Sequence, residues 1–279
     1  MHGGPALGLI GCQVLSDEIV YVLDRDPRIN NIVIVDNPEG RLLLEKLIGL
    51  PVGERAWMIH EDDIGNLSYS GYTVIVSIKP ASLHDDAHVL RANIEDGANK
   101  LKPSCDSILL FYGLCRSTKY EVQRLVDKFD LPMTFLTEDD GSVADDCFGA
   151  ILGGRLRYLE MIKNNKGTMF LSPGYAEYWA AKYEKAGIEK IVLQYENNRL
   201  LYKTLGYTKV MMLDNGLGDR EEFKRRAVIF TRIYDFSLET TRCDMAVFER
   251  SYDKAKAQIP RSALVSVEGG EVVFSRTFF

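Results

Sequence analysis

"ALGLIGCQVLSDEIVYVLDRD", Ala6 to Asp26, runs from an apolar, glycine-punctuated stretch into a segment of helical period, with a cysteine at the junction. The first part reads as a buried strand and the second as an amphipathic helix. The same rhythm recurs along the chain. "NIVIVDN", "YTVIVSI", "DSILLFYG", "PMTFLTED", "GTMFLS" and "KVMMLDN" read as further strands, and "YEVQRLVDKFD" and "IEKIVLQYENNRLLYKTLG" as helices. Short apolar strands alternating with helices predict an α/β fold, with a mainly parallel sheet flanked by helices and joined by right-handed crossovers. "NPEGRLLLEKLIGLPVGERAWMIHEDD" interrupts the pattern as a helix and a short insertion. "ALVSVEGGEVVFSRTFF" reads as a C-terminal hairpin across Gly269 and Gly270, edging the sheet.

The 279 residues carry a hydrophobic fraction of 46% and a net charge of −6, enough apolar material for a substantial core. Lys and Arg are dispersed, so neither a nucleic-acid footprint nor a polybasic membrane patch is expected. "FKRRAVIFTR" reads as the solvated face of a helix. Without a membrane span or a leader pattern, the expectation is a soluble, cytoplasmic protein. Five cysteines, odd in number and without a compact framework, predict reduced thiols.

The chain reads as one compact unit with two related Rossmann-like halves, 1–104 and 105–279. Aligned on Cys12 and Cys115, each half gives a strand, a glycine shortly before the cysteine and a helix, with Glu18 matching Glu121 and Asp24 matching Asp127. Ligands of open parallel sheets lie beyond the carboxyl ends of the strands. Cys12 and Cys115 fall at such ends, and Cys147 in "TEDDGSVADDCFGAILGG" opens the helix after the next strand. Three thiols are therefore expected on one rim. Cys105 precedes its strand and belongs on the opposite side. Cys243 follows an unclassified segment, and both it and Cys105 read as structural.

A thiolate at a helix N-terminus gains about 0.3 to 1 kcal/mol from the dipole. A carboxylate about 6 Å away costs roughly 3 kcal/mol at an effective dielectric of 20. Asp145, Asp146 and Glu18 therefore oppose a metal-free nucleophile. A bound cation reverses that balance, because coordination deprotonates a thiol. In "SLHDDAHVLRANIED", His84 and His88 share a face if the segment is helical, and His84 follows a strand, near the cysteine rim. His60 is a weaker candidate, and His2 lies at the terminus. Compact CxxC pairs, a Walker sequence and a GxGxxG are absent from the sequence, which leaves dispersed ligands for zinc or an iron–sulfur cluster. "LDNGLGD" reads as a plain loop with anion-cradling as the alternative.

The ordered set "GCQVLSDE", "SLHDDAHVLRANIED", "LLFYGLC" and "DDCFGAILGGRLRYLEMIKNNKGTMFLSPGY" resembles the domain-of-unknown-function family sixteen thirty-eight of methanogens and anaerobic bacteria. The resemblance implies a setting near corrinoid-dependent methyl transfer and directs attention to Cys12, Glu18, His84, Cys115 and Cys147. Two departures stand out: Arg116 and Ser117 follow the cysteine where the family tends to have glycine, and the later turn ends in Tyr175 rather than Trp.

Three functions are open at this point. In the first, Cys12, Cys115, Cys147 and His84 hold zinc or an iron–sulfur cluster, with Glu18 moving a proton or orienting a donor. The protein is then an accessory to, or an enzyme of, anaerobic one-carbon metabolism, with a corrinoid protein or methyltransferase as partner. In the second, one of the thiols attacks a small molecule without metal. In the third, the chain is a noncatalytic binding module for a corrinoid protein or small ligand.

Overall fold

The computed structural model describes residues 4–184 and 188–259, with two short strands at 267–268 and 271–272. Six parallel strands form the larger sheet: β1 (Ala6–Cys12), β2 (Asn31–Val35), β3 (Ala56–Ile59), β4 (Thr73–Lys79), β5 (Ser107–Phe111) and β6 (Met133–Phe135). Their spatial order is β3-β2-β4-β1-β5-β6. Every residue of β1, β4 and β5 is buried, as expected of strands covered on both faces.

The helices divide between the two faces. Leu23 and Ile19 of α1 (Ser16–Asp24) and Leu43 and Leu47 of α2 (Pro38–Leu47) fill one core. Ile94 and Leu101 of α3 (Ala87–Leu101) and Val122 and Leu125 of α4 (Lys119–Val126) fill the other. The helix after β1 thus lies on one face, while those after its neighbours β4 and β5 lie on the opposite one. The carboxyl end of β1 is a topological switch point, the place where open α/β sheets form a crevice.

Beyond β6 come α5 (Cys147–Ile151), α6 (Arg155–Asn164) and a second parallel sheet, order β7-β8-β9. Its strands are β7 (Thr168–Leu171), β8 (Lys209–Asp214) and β9 (Ser237–Arg242), with α7 (Pro173–Glu184), α8 (Ile188–Thr204) and α9 (Arg220–Tyr234) between them. The last long helix, α10 (Ala246–Ala257), returns to the first sheet. There Phe248 stacks on Phe111 at 5.2 Å and Lys256 reaches the buried Asp26 at 2.6 Å.

All seven strands expected from the sequence form. The segments 1–104 and 105–279 share the larger sheet, since β5 pairs directly with β1. The terminal hairpin pairs Val267–Glu268 with Glu271–Val272 as a separate two-stranded sheet rather than edging the main one. Gly269 and Gly270, expected to turn it, lie outside the described residues. Among the described residues, no helix is long and apolar enough to cross a membrane.

Candidate functional site

Cys12 is the last residue of β1, 3% exposed. Because Gly11 pairs with Phe111, the next residue of the neighbouring strand, Tyr112, lies beside it. The chain then runs through Gly113, where a Cβ would sit 2.4 Å from the Ala144 carbonyl oxygen. Only glycine allows this approach. It lets Leu114 N–H donate to Ala144 O at 2.7 Å and Cys115 N–H to Asp145 O at 3.0 Å. The 113–115 segment is thereby pinned to the approach to α5, whose first residue is Cys147.

Cys115 and Arg116 both adopt left-handed backbone, with φ of 44° and 70°. Two consecutive non-glycine residues in this region are costly, and such outliers concentrate at functional sites. Arg116 occupies the position where the resembled family tends to have glycine; its guanidinium donates to the His84 carbonyl oxygen at 3.1 Å.

Cys12 and Cys115 belong to one core cluster, and the partly buried Cys147 packs against it. Burial pushes the Cys12 thiol up to about 12, with the Glu18 carboxylate adding to the shift. Burial also raises Cys115 to about 12, with Cys12 and Asp146 contributing. Cys147 is held well above its ordinary value by burial and then by Asp146, Cys115, Cys12 and Glu18. All five cysteines are free. Among the described residues no group of three or more His, Cys, Asp or Glu is drawn together to hold a metal ion.

Glu18 is 1% exposed. Burial, followed by the neighbouring Asp17, raises its carboxyl to about 8. Asn215 Nδ2, from the loop after β8, donates to Glu18 Oε1 at 2.6 Å, while Oε2 is buried without a hydrogen-bond partner. Glu18 and Glu121 both occupy the third position of their helices, α1 and α4, each of which begins four residues after its cysteine. Glu121 closes a capping box with Thr118, whereas Glu18 faces inward. One alignment position thus supplies a cap in one case and a buried acid in the other.

The "LDNGLGD" loop satisfies two of its amides internally. Its Gly216 and Leu217 amides donate to the side chains of Asp214 and Asn215. Cys243 follows β9, its amide donating to Asp214 O at 2.9 Å, and Glu18 is among the charges that raise its thiol. Cys105 precedes β5 at the opposite end, its sulfur 3.1 Å from where a Gly8 Cβ would lie.

His84 and His88 do not share a helix. His84 lies in a short 3-10 turn, Ala81–Asp85, and Asp86 is extended, capping α3 through His88 and Val89 amides. An N-cap Asp competes with a continuous helix, which the spacing of four could not reveal. His84 stacks on Tyr112 with ring centroids 6.0 Å apart. Its Nδ1 faces the Ala81 carbonyl oxygen at 3.2 Å, which can only accept, so Nδ1 carries the proton and Nε2 the lone pair. Burial lowers its pKa, favouring the neutral ring. His88 contacts Arg91 and His60 caps an exposed turn; His2 lies outside the described residues.

Tyr112 and Asn215 are parts of the site that sequence reading missed, and Asp146, read there as a charge opposing a thiolate, has a further role as a cap. Asp146 caps α5 through the Gly149 amide at 2.8 Å and accepts from the Tyr158 hydroxyl at 3.2 Å. Its Asp-Cys-x-Gly sequence is a legible N-cap signal. Tyr112 reads only as the apolar end of a strand. A cleft of about 570 Å³ opens beside the site, between Gln13, Asp17 and Lys46 on one side and Gly174, Glu177 and Arg226 on the other. Lys46 spans it, bonding Asp17 at 2.7 Å and Glu177 at 2.8 Å.

Comparison with curated proteins and with solved structures gives no match. A protein-family model, described as a protein of unknown function (DUF1638), matches residues 78–252, a span that includes His84, Tyr112, Cys115, Cys147, Asn215 and Cys243. With well over half its length matched, the chain belongs to the DUF1638 family.

Proposed function

We propose that this chain holds a metal centre on Cys12, Cys115 and Cys147, with the Nε2 atom of His84 as the fourth ligand, and that the centre is an iron–sulfur cluster rather than a single zinc ion. The observation that carries this reading is the nearness of the two buried thiols Cys12 and Cys115 and the half-buried Cys147, Cys12 adding to the upward shift of Cys115 and both adding to that of Cys147, at the switch point of a parallel sheet. A metal-free nucleophile needs a lowered thiol pKa, and all three move the other way. Coordination supplies the positive charge that this acidic rim lacks.

The choice of cluster over ion rests on spacing. Four ligands around zinc at about 2.3 Å bring sulfurs to roughly 4 Å of one another. Among the described residues the thiols are not gathered with His84 into a set that could hold a single metal ion. A [4Fe–4S] cluster would place each thiolate on a different iron and suits a wider set. When bound, it supplies one-electron chemistry. Glu18, neutral near pH 7 and oriented by Asn215, holds a proton at the edge of the thiol set. The family resemblance implies the setting, so the proposal extends to an accessory or enzymatic role in anaerobic corrinoid-dependent methyl transfer.

The test is anoxic reconstitution of metal-free protein with iron and sulfide, in parallel with zinc, for the wild type and Cys115→Ser. Stoichiometric iron and sulfide in the wild type, lost in the variant, is the expected result. Equal uptake by both proteins, or none by either, overturns it.

A further inference from the structure

Half of the large apolar side chains left exposed among the described residues lie on two segments: Leu156, Leu159 and Ile162 of α6, and Leu200, Leu201 and Leu205 at the end of α8. α6 buries none of its residues. Tyr158 and Met161 lean on the core from its inner side, while Leu156 is 85% exposed. A surface helix ordinarily turns such leucines inward. Ile162 and Leu205 both line a cleft of about 540 Å³, together with Phe148, Phe170 and Tyr207, so the two segments form one surface. Apolar side chains gathered in this way mark a contact surface rather than ordinary scatter.

The charges on the same face say what covers it. At about 3.6 residues per turn, Leu156, Leu159, Glu160 and Lys163 fall within one outer stripe of α6. Arg155 and Arg157 are paired on their own chain, with Asp145 and Asp244. Glu160 and Lys163 are exposed, and neither side chain has an ion pair or hydrogen bond among the described residues. They are opposite in sign and one turn apart, so the stripe is complementary to itself. A two-fold axis perpendicular to α6, midway between them, lays a second α6 antiparallel on the first and sets each Glu160 against Lys163 of the other copy. The same register brings Leu156 level with the other copy's Gly167, which packs against Gly206, next to Leu205; Gly167 and Leu205 both line the cleft. We infer that this face is the isologous interface of a homodimer, with α6 antiparallel to its counterpart and Leu156 seated in the cleft of the opposite copy.

The test is sedimentation equilibrium of the full chain over a range of micromolar concentrations, for the wild type, Leu156→Asp, Glu160→Lys, Lys163→Glu and an equimolar mixture of the two charge reversals. All three substitutions fall on exposed side chains, and unchanged circular dichroism checks that each variant is folded. A wild-type dimer is expected, weakened about tenfold or more by each single substitution, because each reversal sets like charges against one another and the aspartate enters an apolar contact. The mixture should dimerise more tightly than either reversal alone, since it joins an all-basic stripe to an all-acidic one. A wild type that is monomeric throughout overturns the inference, and so does a dimer that Leu156→Asp and both reversals leave intact, or a mixture no tighter than its components. Co-sedimentation of a monomeric wild type with phosphatidylglycerol vesicles would assign the face to a lipid surface instead and likewise overturn it.

Discussion

Asn215 donates to the Glu18 carboxyl across 2.6 Å, and this bond ties the carboxyl end of the second sheet to the helix that leaves the first. Replacing Asn215 by Leu keeps the bulk and removes the side-chain donor to Glu18. A loss of about 1–3 kcal/mol in urea unfolding is expected. An unchanged midpoint of unfolding would mean that the bond contributes nothing to the joint.

Glu18 also makes stability depend on pH. Its carboxyl is raised from an ordinary 4.5 to about 8, so between these values the folded chain keeps a proton that the unfolded chain releases. The contribution of this group is therefore fully present below pH 4.5 and declines as pH rises toward 8, at up to about 1.4 kcal/mol per unit. Glu18→Gln should flatten that slope, measured as the difference between wild-type and variant unfolding free energies at pH 5, 6, 7 and 8. Parallel profiles would show that Glu18 is ionised throughout.

The thiols of the metal-free protein should be slow to alkylate. Burial raises Cys12 and Cys115 to about 12 and Cys147 well above its ordinary value. At pH 8 with iodoacetamide, each should react at least about tenfold more slowly in the folded than in the unfolded chain, since the thiolate is the reactive form. Peptide mapping that finds any of the three faster than a free thiol would favour the metal-free enzyme.

Gly174 opens α7 against the turn that follows Cys12, and a Cβ there would lie 2.1 Å from the Val14 carbonyl oxygen. Gly174→Ala must push the helix away from that turn, at a cost of about 1–3 kcal/mol. The displacement should also weaken metal uptake at Cys12. A variant with wild-type stability and uptake would show that the two elements are free to part.

The larger sheet was legible because its strands are apolar on both faces, as in "YTVIVSI" and "DSILLFYG". β3 and β9 escaped notice for the opposite reason. Both are edge strands, and "SLETTR" in β9 leaves most of its residues exposed, so it carries no continuous apolar run. The positions of Cys12 at the end of β1, of Cys115 just beyond β5 and of Cys147 at the start of α5 were legible from the strand and helix pattern. The acid's partner was not: Asn215 stands 197 residues from Glu18, in a loop whose own sequence explains its turns. His84 and His88 were misjudged together, because spacing reports a shared face only where the helix is unbroken, and Asp86 breaks it. Tyr112 could not be separated from ordinary core aromatics until its hydroxyl was located beside the thiols.

The central claim is most directly tested by the iron, zinc and acid-labile sulfide content of protein purified without oxygen, with its absorption spectrum, beside the variant Cys12→Ser, Cys115→Ser, Cys147→Ser. Stoichiometric iron and sulfide with visible charge-transfer absorption in the wild type, absent from a variant that remains folded, is the predicted result. Metal-free wild-type protein, or metal retained in full by the triple variant, would contradict it.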